Sequence, residues 1–211
     1  SDEVFVERKD AGEFAAQVFL TDQRIDSDIF GARQDASLEL GAAMGQKVEL
    51  DLVSNFGSLT GGTVGGGGSA LTWARFAAAR SLLRAQNAPM PYVAVLSPGQ
   101  WFTLGTAVIP AGAQTNAPAF QDDVMRNWYV ASVLGVDIYV SNNITAGTVS
   151  NGAMFSRAAL AFDSRRAPRI EPERDASRRG WELNASMVYA HGVWRPKFGV
   201  TMIGAKRHAI E

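Results

Sequence analysis

Between Asp26 and Ser54 the apolar residues recur at helical spacing. Ile29, Ala36, Ala43 and Leu50 step by seven, with Ala32, Leu40 and Met44 beside them. Asp28, Asp35, Glu39 and Gln46 gather on another face. Asp26, Ser27 and Asp28 offer capping side chains and negative charge to the free N–H groups of a first turn. Unbroken, such a helix would be about 40 Å long at about 1.5 Å per residue. Gly31, Gly41 and Gly45 lie inside it, each costing about 1 kcal/mol relative to alanine. Two readings stay open: a long core helix that tolerates its glycines, or a bent spine crossing an elongated subunit, with the glycines as hinges or points of close packing.

Around this element the pattern alternates between strand and helix. Val4-Phe5-Val6 and Phe14 to Leu20 read as strands about a Lys9-Asp10-Ala11-Gly12 turn, an extended ribbon. Residues 61–68, Gly-Gly-Thr-Val-Gly-Gly-Gly-Gly, read as a flexible connector. A phosphate-binding loop fails there, because no Lys-Ser/Thr pair closes the run and a helix precedes it. Ser69 is the expected cap of a helix from Ala70 to Gln86. Tyr92 to Leu96 reads as a buried strand, and Ser97-Pro98 as a cap and first helical residue leading to Leu104. A loop over 105–118, a helix from Phe120 to Leu134 and a strand from Val136 to Val140 complete a parallel βαβ unit. Ala153 to Phe162 is expected in the same sheet. Trp181 to His191 and Phe198 to Lys206 read as a long terminal hairpin.

Composition narrows the chemistry. The 211 residues are 46% hydrophobic and 19% charged with a net charge of −1, enough for one core or two small lobes. A protein whose work is to grip nucleic acid normally carries a basic excess, and this chain has none. No apolar run approaches the ~18 residues of a membrane span. No signal peptide is evident, and Ser1 in place of Met is the start expected of a processed or truncated chain. Cysteine is absent and only His191 and His208 occur, which removes thiol chemistry and leaves little for a histidine-based metal site or triad. Asp122-Asp123, the Glu171/Glu173 pair and His191 are the remaining catalytic candidates, with no triad order or metal-ligand spacing among them. The expectation is a non-enzyme without cofactor.

One segment concentrates charge of both signs: Arg165, Arg166, Arg169, Glu171, Glu173, Arg174, Asp175, Arg178 and Arg179. It reads either as a solvated turn or as a salt-bridged contact with another copy. With Lys9, Arg195 and Lys197, these residues are the candidate subunit interface; Gly31, Gly41 and Gly45 are the candidate bends.

The order of elements, with Ala94-Val95-Leu96-Ser97-Pro98 followed by Trp101, residues 135–142 (Gly-Val-Asp-Ile-Tyr-Val-Ser-Asn) and the Tyr189 to Gly204 segment around Arg195-Pro196, resembles the major capsid proteins of tailed double-stranded DNA bacteriophages. Their fold is the α+β, Hong Kong 97-like fold: extended loop, long spine helix, peripheral domain and α/β axial domain. The resemblance implies an extended loop over 1–25, spine helix and connector over 26–68, axial domain over 69–162 and a return to the peripheral domain over 163–211. It implies an icosahedral shell of pentamers and hexamers around DNA, assembled in the host cytoplasm, with an encapsulin-type nanocompartment as the alternative. The principal partner would be the chain itself, then scaffolding, portal and decoration proteins and the packaged DNA, but no membrane. Some members crosslink a loop lysine to a peripheral asparagine; Lys9 and Asn184 are of those types, with no identifiable catalytic carboxylate. An N-terminal arm or scaffolding segment, usual in the family, is not evident.

Overall fold

The structure, a computed structural model, describes residues 12–27, 31–66, 69–108, 132–144 and 149–205. It divides into two compact units: residues 1–52 with 162–192, and residues 53–161 with 193–211. The chain therefore crosses between units at 52–53, 161–162 and 192–193.

The first unit packs a helix on a three-stranded sheet. Strand β1 (Gly12–Thr21) pairs antiparallel with β8 (Gly180–Val193) over its whole length, and β7 (Leu160–Asp175) lies on the other side of β8. Alternation sends Leu183, Ala185, Met187 and Tyr189 of β8 to one face, where Phe14, Ala16, Val18 and Leu20 of β1 join them. Helix α2 (Ala32–Ser54) lays Ala36, Leu40 and Met44 into that face. Each fully buried Leu or Met contributes about 1.5–3 kcal/mol of hydrophobic stabilisation.

The long helix expected from Asp26 differs in two respects. Asp26 and Ser27 belong to a separate short helix, α1 (Asp22–Ser27), Asp28 and Ile29 lie outside the described residues, and α2 begins only at Ala32. Gly31 between them has φ +94°, a conformation that excludes ordinary side chains, and its carbonyl accepts the first bonds of α2 from the N–H groups of Gln34 and Asp35. Asp26 and Ser27 thus end one helix and do not cap the next. The buried stripe advances by fours, through Ala32, Ala36, Leu40 and Met44; Ala43 is exposed and Leu50 is 40% exposed.

The second unit holds a mixed six-stranded sheet in the order β2-β9-β6-β3-β5-β4. Its strands are β2 (Thr63–Gly65), β3 (Tyr92–Leu96), β4 (Ser132–Val133), β5 (Val136–Val140), β6 (Val149–Ser156) and β9 (Gly199–Ala205). The expected parallel pairing holds between β3 and β5, Tyr92 opposite Val136 through Leu96 opposite Val140. Helices α3 (Trp73–Ala85) and α4 (Pro98–Val108) supply the buried Phe76, Leu83, Trp101 and Leu104 that cover Tyr92, Ile138, Met154 and Met202.

Further expectations are corrected here. The terminal hairpin does not form, because β8 pairs in one sheet and β9 in the other. The glycine connector is partly strand: β2 pairs parallel with β9, and Gly65, at φ +93°, lies where a Cβ would collide with the carbonyl of Ile203. Residues 163–175 are not a turn but most of the edge strand β7, which carries Pro168 and Pro172. The strand placed at 153–162 is two: β6 stops at Ser156 and β7 starts at Leu160. Thr72, not Ser69, caps α3, accepting the N–H of Arg75 at 3.4 Å; Ser69 takes the Arg75 guanidinium instead. Helix α4 also runs past Leu104, to Val108. Most of the helix expected from Phe120 lies outside the described residues, and Leu134, at φ +55°, sits in a turn.

Candidate assembly surface

The charged residues of β7 and the following turn are exposed, except the half-buried Asp175, and the sheet brings most of them to partners in the same unit. Arg166 reaches Glu13 of β1 at 3.3 Å, spanning the intervening strand. Arg169 pairs with Glu171 at 2.8 Å and Arg165 approaches Asp163 at 3.9 Å, both along β7 itself. Glu173 is exposed on the same strand. Between β1 and β7 lies a shallow depression of about 400 Å³, bordered by Glu13, Gln17, Arg166, Arg169 and Asn184 over the small residues Ala15 and Ser186.

At the turn the charges are organised more tightly. Arg174 grips the Asp22 carboxylate of α1 with both terminal nitrogens, Nη2 to Oδ2 at 2.8 Å, and also donates to the carbonyl of Gly180. Its hydrogen bond, with the charges of Arg33 and Arg179 nearby, holds the Asp22 carboxyl below the usual carboxylate range. Asp175 accepts from the Ser177 hydroxyl and from the N–H groups of Ser177 and Arg178, which lowers its own pKa and fixes the turn. Arg178 pairs with Glu182 at 3.1 Å and lies 4.3 Å over the Phe19 ring. Arg179 takes φ +50°, and its carbonyl accepts the N–H of Asp22 at 3.0 Å. The guanidinium of Arg33 stands 4.2 Å over Trp181. Thr21, Asp22, Asp26, Arg178 and Arg179 border an open hollow of about 650 Å³ there.

Two of the sequence candidates lie elsewhere. Arg195, with its guanidinium 5.5 Å from the Phe198 ring centre, and the exposed Lys197 belong to the second unit, in and beside the 3-10 turn Pro196–Phe198. Lys9 lies outside the described residues. Of the candidate bends, only Gly31 has a positive φ. Gly41 and Gly45 sit in the exposed face of α2, and a Cβ on either would meet open space, so no described residue packs closely against them.

Sequence reasoning missed the partners Glu13, Phe19, Asp22 and Glu182. It also missed Gln100, which is fully buried in the second unit. Ser97 and Gln100 form a reciprocal cap, each accepting the other's backbone N–H on its side-chain oxygen. Gln100 Nε2 then donates to the carbonyls of Ser150 and Met202, both at 3.0 Å, joining α4 to β6 and β9. The Ser-x-x-Gln spacing was the available signal. Among the described residues no group of three or more His, Cys, Asp or Glu could hold a metal ion, and no helix is long and apolar enough to cross a membrane.

A family model described as phage capsid protein matches residues 7–202. No curated protein sequence matches the chain. Among solved structures, a chain of Mycobacterium phage Che8 superposes with a TM-score of 0.73 at 20% identity, over 90% of this chain and 70% of the other. The capsid of Ralstonia phage GP4 gives 0.71 at 11% identity, over 95% and 75%. The SrpI encapsulin complex of Synechococcus elongatus gives 0.64 at 12% identity, again over 95% and 75%. At these identities the likeness shows a common fold, and that fold is shared by phage capsids and an encapsulin.

Proposed function

Because this chain belongs to the phage capsid protein family, we propose that it is the structural subunit of an icosahedral virion shell, assembling through pentamers and hexamers around double-stranded DNA. The observation that carries this reading is the family match across residues 7–202, which takes in both units. In Hong Kong 97-like terms, the first unit serves as the peripheral domain with α2 as its spine helix, and the second as the axial domain.

The physical logic is that of a wall. A closed shell repeats one subunit through many moderate contacts around rings of two sizes. A net charge of −1 limits repulsion between many copies. Exposed charges along β7 supply direction and register more than stability, since solvated ion pairs contribute little net energy. Assembly in the host cytoplasm and contacts with scaffolding, portal and decoration proteins follow from this role.

The encapsulin match supports a second reading, a shell that encloses protein cargo. Negative-stain microscopy of the purified protein is expected to show closed, uniform shells; a monodisperse monomer across salt and pH would overturn both readings. Nuclease-protected DNA inside virion-derived shells supports the phage role, and a packaged enzyme in place of DNA supports the second.

A further inference from the structure

Within the first unit one carboxylate gathers several donors. Asp51, in the last turn of α2, accepts the Tyr189 hydroxyl of β8 on Oδ2 at 2.5 Å and the Lys47 ammonium on Oδ1 at 2.6 Å. His191 Nε2 stands 3.9 Å from Oδ2. The Tyr189 ring is buried, stacked on Phe14 of β1 at 4.7 Å and 5.6 Å from Phe162 of β7. Lys47 also lies 4.9 Å over the Phe14 ring. The group therefore draws on all four principal elements of the unit.

Its position along the chain is what gives it meaning. Asp51 precedes the crossing at 52–53 by one residue, Phe162 is the first residue after the crossing at 161–162, and His191 precedes the crossing at 192–193 by one residue. All three places where the chain leaves or enters this unit thus converge on one side-chain cluster. We propose that the Asp51 cluster is a clamp tying the three crossings together, so that they are held or loosened as one.

The charges around it are consistent in sense. Burial works to raise the Asp51 pKa, but the hydrogen bonds from Lys47 and Tyr189 outweigh it and hold the carboxylate ionised below the usual range. Burial, and then the bond to Asp51, pushes the Tyr189 phenol upward, so it remains the donor. Among the described residues, Lys47 on α2 and Tyr189 and His191 on β8 are the titratable groups placed against Asp51, while β1 and β7 present Phe14 and Phe162. The neighbouring Glu13 and Asp163 have partners of their own in Arg166 and Arg165. A carboxylate with a lowered folded pKa stabilises fully above its unfolded value and loses that contribution as pH falls through the folded one. The clamp therefore holds at neutral pH and opens only in acid.

Amide hydrogen exchange of the full chain, corrected for the chemical rate at each pH, tests this. Asp51→Asn is expected to speed exchange about tenfold at all three crossings at neutral pH, while the centre of the β1–β8 pair around Gln17 and Asn184 stays within about twofold. Tyr189→Phe, which keeps the ring and its stacking, is expected to give a smaller acceleration at the same three places, and it decides the matter if Asp51→Asn does not fold. Acid should bring the wild type to the pattern of the Asn variant. Acceleration confined to the crossing beside Asp51, or spread equally over the β1–β8 centre, overturns the clamp.

Discussion

Arg174 illustrates how a charge that reads as an interface residue can be committed inside its own subunit. Both of its terminal nitrogens are engaged by Asp22, and Arg178 is drawn to Glu182 and Phe19. These two shape the turn, whereas Arg165 and Arg169, among the described residues, pair along their own strand and remain able to exchange partners. Two outcomes separate the roles. Arg174→Ala should move the Asp22 titration, followed by carboxyl NMR, upward towards the ordinary range, because the largest cause of its depression is removed. The Asp22–Arg174 contribution is complete above the unfolded carboxylate pKa and fades as pH falls through the lowered folded one, so the variant should also show a flatter acid limb in its stability profile. Arg165→Glu with Arg169→Glu should leave the circular dichroism and melting of the subunit unchanged, yet reduce shell yield by microscopy. Normal shells from that double variant would make these side chains plain surface.

At the scale of elements, the glycines of α2 pose the clearer question. Gly41 and Gly45 point into open space, so alanine fits at both and should stabilise the subunit by up to about 1 kcal/mol each. Shells of the double variant are nonetheless expected to assemble poorly or vary in size, if another copy packs against that face or the helix bends on assembly. Stable subunits that build uniform shells would leave the two glycines as tolerated defects. Much of the element order was legible in advance: β1, β3 and β5, the Ser97-Pro98 helix start and the parallel pairing all follow from local pattern. What failed did so for physical reasons. Alternation in β8 and β9 marks strands but not which sheet each joins. An edge strand solvated on both faces, as β7 largely is, lacks the alternation that identifies a strand. Asp26 and Ser27 are capping types, but the Ser27 hydroxyl turns back to the carbonyl of Arg24 and closes α1. In the assembly surface the charged stretch was found from its composition, while Glu13 and Asp22 lie more than 150 positions from their arginines, where no local rule reaches.

For the whole molecule, the two prolines of β7 carry a consequence for life at high copy number. Pro168 and Pro172 are four residues apart, so both missing N–H groups belong to the same row of an edge strand, and neither can serve pairing with β8. Edge strands accommodate proline where its missing N–H faces away from the neighbouring strand, so the gaps are expected in the open row, where they interrupt the zipping of an incoming strand. A concentrated solution of free subunits would otherwise be one of sticky ribbons, prone to fibrous precipitation. Replacing both prolines with threonine should therefore leave the fold intact yet make concentrated subunits thioflavin-positive and insoluble over hours. A double variant that stays clear and dye-negative would show that the edge is guarded by its charges alone. Read this way, the prolines set how long free subunits can wait for one another.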